Sequence, residues 1–292
     1  MIFDNIDIEE IKQHLINGLS FRKIGDIYKC NYKKIEYLVN KNKLIEYSKY
    51  KKPIYKNKSY FNKIDTPEKA YILGFLIGDG HISTNDKLNI TIGIKDREVL
   101  EFISNELGAN IQDYNHIDIK KKIFPNSQIN IGDKQLVCDI KKLFGGRLKE
   151  ERRLPIISKQ FEIFLLIGFF DAEGCITFGY RKDRNRLWQK ISFTSQHTML
   201  IGIQNILLKY GIATSIKPKG NEKCYILEFS NKKNVLDFIK IIKNKNLGLK
   251  RKQLKLNELE ALLRPESGEF GETILKNAIP SQSINIEGVE TK

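Results

Sequence analysis

The sequence predicts an α+β protein: a small all-α head, then two pseudo-symmetric subdomains of αββαββα-like order. Three observations predict this. A repeat opens at Thr66 and again at Phe161, and the same order of elements follows each copy. Residues 1–45, in contrast, carry only helical periodicity.

Length and charge narrow the classes. The 292 residues suffice for about two domains of ordinary size, and a hydrophobic share of 41% supports a sizeable core. Fifty Lys+Arg against 35 Asp+Glu leave a net charge of +15, which points to nucleic acid or an anionic membrane surface as partner. The longest apolar run, Ile163 to Phe170, falls far short of the ~18 residues that a membrane span needs. The start, Met1-Ile2-Phe3-Asp4, lacks the basic-then-apolar order of a signal peptide. Cys30, Cys138, Cys175 and Cys224 form no C-x-x-C pair and the histidines no zinc pattern, so reduced thiols are expected. The expectation is a soluble, basic protein without a membrane role, in the cytoplasm of a bacterium or phage-infected host or inside an organelle.

Five segments follow from composition. Residues 1–45 read as three short helices. Apolar Ile8, Ile11 and Leu15 recur at helical spacing, Ser20 caps a second run with Ile24, and a third carries Ile35, Leu38 and Val39 inward. This order resembles a helix-turn-helix, which would turn Lys33 and Lys34 toward DNA. Residues 46–63, with lysines interleaved among Tyr47, Tyr50, Tyr55, Tyr60 and Phe61, read as a basic linker arm. The subdomains are expected at 64–158 and 159–264. An acidic tail, read as flexible, occupies 265–292.

The first repeat helix starts with Thr66 as cap, Pro67 and Glu68, and ends Gly74-Phe75-Leu76-Ile77-Gly78-Asp79-Gly80. The second ends Gly168-Phe169-Phe170-Asp171-Ala172-Glu173-Gly174. A glycine inside a helix costs ~1 kcal/mol relative to alanine. The loss is recovered where a second backbone approaches closely, so the small residues should place the two helices side by side. Gly80 and Gly174 are expected to stop the helices with positive φ. Asp79 and Glu173 then meet at adjacent helix C-termini, where the macrodipole disfavours each and they repel one another. A divalent cation resolves that conflict, because Mg²⁺ accepts one or two carboxylates with water and phosphate.

These residues resemble the LAGLIDADG homing endonucleases, in the form that carries both motifs on one chain. The resemblance covers about residues 64–264. It implies two subdomains with DNA-facing antiparallel sheets, and double-strand hydrolysis with short 3′ overhangs. It further implies Mg²⁺, with Mn²⁺ as substitute, held by Asp79 and Glu173. It implies one basic residue near each acid, for which Lys149 (competitor Arg147) and Lys250 (competitor Lys252) occupy the matching stretches, with Arg152, Arg153, Arg251 and Lys255 close by. Ile77 stands where the second motif has Asp171, which argues against Asp171 as a catalyst.

A two-stranded ribbon fits the major groove. Ser83, Asn85, Asn89 and Thr91 in the first hairpin, and Gln189, Lys190, Arg181, Arg184 and Arg186 in the second, are the DNA-binding candidates. The function expected is a monomeric, Mg²⁺-dependent, site-specific double-strand DNA endonuclease of a mobile element. An intron-RNA maturase and a non-cleaving DNA-binding regulator are the alternatives. An intein origin is disfavoured because the chain starts with Met1 and ends Thr291-Lys292.

Overall fold

The computed structural model describes residues 6–48, 55–181, 183 and 186–264. It divides into two compact units, Met1–Ile54 and Tyr55–Lys292. In the first, α1 (Ile8–Ile16), α2 (Phe21–Ile27) and α3 (Tyr32–Lys41) are capped by the side chains of Asp7, Ser20 and Asn31. Each cap satisfies an amide that the first helical turn leaves without a partner. Ile11, Leu15, Ile24, Ile35, Val39 and Leu44 close the core of this unit. A Cβ on Gly25 would lie 2.8 Å from the Cys30 carbonyl, so the turn between α2 and α3 crosses directly over that glycine.

The second unit repeats itself. Its first half runs α4 (Pro67–Asp79), β1 (Gly80–Ile82), β2 (Leu88–Gly93), α5 (Arg97–Leu107), β3 (Ile111–Ile117), β4 (Ile123–Ile131) and α6 (Lys134–Phe144). Its second runs α7 (Lys159–Glu173), β5 (Gly174–Arg181), β6 (Arg186–Ser195), α8 (His197–Lys209), β7 (Ser215–Lys219), β8 (Asn221–Phe229) and α9 (Lys232–Lys243). A last helix, α10 (Lys250–Leu263), follows. The sheets have matching antiparallel orders, β1-β2-β4-β3 and β5-β6-β8-β7. One continuous core joins the halves through α4 and α7, both buried along most of their length.

Three expectations are corrected here. Over its described residues, the expected basic linker arm 46–63 is packed against the two units rather than extended. Leu44–Tyr47 forms a 3₁₀ turn, with Leu44 buried in the head. Tyr60 and Phe61 are buried in the core of the second unit, where the Tyr60 hydroxyl donates to Glu106 at 2.8 Å. Tyr55 accepts from the Gly132 amide at 3.0 Å. The aromatic rings between the lysines of 55–63 are therefore apolar anchors. Residues 49–54 and the tail 265–292 lie outside the described residues.

Gly80 and Gly174 do not adopt positive φ. They sit at −72° and −85°, because each helix runs straight into a strand. Glycine is required there by crowding: a Cβ would come within 2.4 Å of the Leu76 carbonyl or 2.1 Å of the Phe170 ring.

Gln189 is the third correction. Its register partner is Phe178, and Ile176 pairs with Ile191 two residues on, so Gln189 shares the core-side face. Its side-chain amide donates to the Ser230 carbonyl at 2.8 Å.

Candidate active site at the helix pair

Backbone approach between α4 and α7 sets the site. A Cβ added to Gly74 would lie 2.0 Å from the Leu165 carbonyl oxygen, and one on Gly168 only 1.9 Å from that of Tyr71. Neither position admits a side chain, so the helices touch backbone to backbone. One turn on, a Cβ at Gly78 would meet Ala172 Cβ at 2.4 Å and Glu173 Cγ at 2.9 Å. Packing of small residues thus delivers Asp79 and Glu173 together at the helix ends.

Asp79 is half-buried and has no hydrogen bond or ion pair among the described residues. Burial first, and the charge of Glu173 second, push its carboxyl up to about 7, against the pull of Lys149 and Lys252. Among the described residues, Glu173 forms one ion pair, with Lys149 Nζ at 3.5 Å from its Oε1. A cleft of about 240 Å³ beside it is lined by Lys149, Glu150, Arg152, Glu173, Thr194 and Gln196, among others. Two hard carboxylate donors side by side, one without a hydrogen bond or ion pair among the described residues, suit Mg²⁺. No group of three or more His, Cys, Asp or Glu side chains is gathered among the described residues, so the donor set does not match a zinc centre.

The cations nearest the motif helix ends are Arg152 and Lys252. Arg152 is 2% exposed and donates to the carbonyls of Ile77 and Gly80, both at 2.7 Å. Lys252 is 6% exposed and donates to those of Phe170, Asp171 and Gly174, the last two at 2.9 and 2.7 Å. Each cation closes the C-terminal turn of one motif helix, where carbonyls lack helical donors. Burial holds Arg152 below its ordinary pKa and pulls Lys252 down to about 8.

The two expected lysines part company. Lys149 stands beside Glu173, with a side chain 55% exposed. Lys250 does not join the site: its side chain is 82% exposed and lies 3.5 Å from Glu98. The signal that separates Lys252 from Lys250 was present in the sequence. Lys252, Leu256, Leu259 and Leu263 form the buried stripe of α10, and Lys250 lies off it. For Arg152 there was no comparable signal, since its loop is shaped by tertiary contacts. Glu151 accepts the amides of Arg147 and Leu148 at 2.9 and 3.0 Å, and this folds the loop that turns Arg152 inward.

Asp171 has a different task from Glu173. It is 4% exposed, accepts the Tyr71 hydroxyl at 2.9 Å and caps the start of α10 by accepting the Leu249 amide at 2.8 Å. It therefore helps fix the helix that carries Lys252. Its carboxyl is pushed up to about 6, chiefly by burial.

Register settles the sheet faces. Asn89 and Thr91 lie on the outer face of the first sheet, opposite Asn130 and Gln128. Ser83 lies beyond β1 in the hairpin turn, where its hydroxyl accepts the Lys87 amide at 3.2 Å. Arg181, Arg186 and Lys190 lie on the outer face of the second sheet, and Arg184 lies outside the described residues. In the head, Lys33 and Lys34 are exposed on the first turn of α3, and Tyr37 is exposed one turn later.

Comparison with known proteins gives a consistent picture of the fold. Residues 160–243 match the family model described as a LAGLIDADG-like domain. In fold, 72% of this chain resembles 96% of the meganuclease I-SmaMI, solved bound to an uncleaveable DNA, with TM-score 0.50 and 11% identity. Two curated relatives are longer enzymes. The glutamine–fructose-6-phosphate aminotransferase of Methanocaldococcus jannaschii is 29% identical over 276 residues, 90% of this chain and 22% of the relative. The ribonucleoside-diphosphate reductase NrdEB subunit alpha of Bacillus subtilis is 25% identical over 265 residues, 79% of this chain and 23% of the relative. The chain thus spans less than a quarter of the curated relatives it matches. The family-model match thus falls in the second half of the body, and the likeness to I-SmaMI is one of fold. No described helix is long and apolar enough to cross a membrane.

Proposed function

We propose that this chain is a site-specific endonuclease for double-stranded DNA, acting as a monomer with one acid from each motif helix at its centre. The observation that carries the reading is Asp79, a half-buried carboxylate without a hydrogen bond or ion pair among the described residues, packed beside Glu173 on a second helix end. Asp79 and Glu173 would hold divalent metal, Mg²⁺ or in its place Mn²⁺. Bound metal would supply Lewis-acid stabilisation of the phosphodiester and a lowered water pKa. Lys149, beside Glu173 and open to solvent, is placed to hold a phosphate oxygen or order the attacking water. Arg152 and Lys252 fix the helix ends and add positive potential next to the acids. One bond in each strand would be hydrolysed, leaving short 3′ overhangs.

The outer sheet faces would enter the major groove, and α3 of the head would add contacts through Lys33 and Lys34. A segment shared with two unrelated longer enzymes favours a mobile inserted module, and it weighs against the expectation that an intein origin is disfavoured. The retained pair of acids favours cleavage over intron-RNA chaperoning or plain regulation.

The test is cleavage of a randomised linear duplex library in Mg²⁺, with Ca²⁺ as control and an Asp79→Asn/Glu173→Gln variant alongside. Cuts at one defined site, lost in the variant, with sequenced ends giving the overhang, are expected. Specific binding without cleavage in either Mg²⁺ or Mn²⁺ would sink the nuclease reading. A Lys33→Ala/Lys34→Ala variant is expected to weaken binding without moving the cut.

A further inference from the structure

The outer faces of the two sheets are chemically unlike. On the first, register places three ranks across the strands: His81–Asn89–Asn130, Thr91–Gln128–Gln112 and Gly93–Asn126–Tyr114. Phe124 and His116 continue the face to one residue short of the ends of β4 and β3. No Lys, Arg, Asp or Glu stands at any of these positions. Five carboxamides do, and Asn89, Asn126 and Asn130 have no side-chain hydrogen bond among the described residues. Gln128 donates to Gln112 at 3.1 Å, which orients both amide groups and leaves each a free donor or acceptor.

On the second sheet the same face carries Arg181 and Arg186 as one rank, with Gly179–Trp188 and Thr177–Lys190 behind it. Lys217 lies on that face in β7. Glu228, an acid on that face among the described side chains, lies 2.6 Å from Lys217 and 3.5 Å from Lys190. Neither arginine of the outer rank has an acid partner among the described residues.

In the major groove these chemistries read different bases. A carboxamide presents one donor and one acceptor, the complement of adenine N6 and N7; a guanidinium presents two donors, the complement of guanine O6 and N7. A neutral face gains little from phosphates, whose recognition depends on cations. We infer that the DNA site is asymmetric in composition, with an A·T-rich half under the first sheet and guanine-directed contacts confined to the half under the second. The inference rests on the DNA-endonuclease reading of this chain and names the substrate class within it.

Geometry sharpens the claim. Ranks on one face are two residues, about 6.7 Å, apart along a strand. That is about two base-pair steps of 3.4 Å, so three ranks address about five or six base pairs. Arg181 lies seven residues beyond Gly174, about 23 Å along the strand, and its guanine is expected about six or seven base pairs from the centre.

The experiment is binding selection by the full chain from a randomised duplex pool in Ca²⁺, repeated with Asn89→Ala/Gln128→Ala and with Arg181→Ala/Arg186→Ala. The selected site should show one half dominated by A·T pairs. The amide variant should lose at least about tenfold of the discrimination at adenine positions there, with the slope of log affinity on log salt unchanged. The arginine variant should lose the guanine preference in the other half and lower the salt slope by about one to two. Guanine preferences that respond to the amide variant, or two halves of like composition, would overturn the inference while leaving a DNA-reading protein. Absence of any enriched site would remove the DNA-reading premise and the inference with it.

Discussion

The two halves of the body agree where packing dictates and differ where a ligand would be touched. Gly74 and Gly168 meet the opposite backbone at nearly equal distances, 2.0 and 1.9 Å for an added Cβ. Strand order is the same in both sheets. A buried cation closes each motif helix, although it is arginine from a loop in one half and lysine from a helix in the other. The acids, by contrast, are Asp79 and Glu173, and Ile77 faces the role that Asp171 fills in capping α10. The sheet faces differ most of all. The core fixes the shared fold and leaves those faces free to differ, so their chemistry is where the two halves can take on separate tasks.

The largest effect that can break this comparison is on turnover. Asp79→Asn and Glu173→Gln are each expected to lower the cleavage rate by at least about 10³-fold, some 4 kcal/mol of barrier, while binding to the selected site stays within about threefold. If one variant still nicks a single strand at the normal rate, the acids serve separate strands. Loss of both cuts by either variant means that they act as one centre.

Packing gives the next effect. Gly168→Ala places a methyl 1.9 Å from the Tyr71 carbonyl oxygen, a backbone atom with no freedom to move aside. A cost of more than about 3 kcal/mol is expected, above the usual range for an oversized core group. Gly74→Ala should match it, by denaturant unfolding, if the halves are equivalent in the core. Gly132→Ala, with open space around its Cβ, is the control expected to be near neutral.

The buried cations come third. Lys252 gives all three of its ammonium protons to carbonyls at the end of α7. Lys252→Met keeps most of the volume and removes those bonds, at an expected cost of about 2–3 kcal/mol. Arg152→Met should cost a similar amount. Lys250→Met, at an exposed side chain 3.5 Å from Glu98, should change stability by less than about 0.5 kcal/mol. Equal losses at Lys250 and Lys252 would contradict the placement of Lys252 under the helix end.

Much of this was legible in the sequence because it follows from periodicity and small residues. The caps Thr66 and Ser20, the helix pair and the hairpins all rest on local chemistry. The rest depends on tertiary context. Between 147 and 153 the chain offers four cations, and only the fold of the loop around Glu151 decides that Arg152 turns inward. Tyr60 and Phe61 look like stacking groups among lysines until a core is there to receive them. Gln189 reads as a groove residue until register assigns it to the face of Phe178 and Ile191. Gly80 and Gly174 could be required by φ or by crowding, and only coordinates separate the two.

The smallest effect tests the charge at the centre directly. The Asp79 carboxyl is raised to about 7 in the folded protein against an ordinary value of 3.8. The folded state therefore holds this proton more tightly than the unfolded chain does, so folding is progressively penalised as pH rises from about 4 to about 7. Below pH 4 both states are protonated and the penalty vanishes; above pH 7 it is complete. Asp79→Asn removes the charge and should stabilise the metal-free protein by about 1–2 kcal/mol at pH 8, allowing for water reaching a half-buried group. At pH 4.5 it should make little difference. Thermal melts of both proteins in EDTA across this range measure the gap, and Mg²⁺ added at pH 8 should close it by stabilising only the protein that keeps Asp79. A gap that is constant with pH would mean that Asp79 is not under electrostatic strain. In that case its lack of a partner would be a matter of packing, and the case for a cation between the two helix ends would lose its main support.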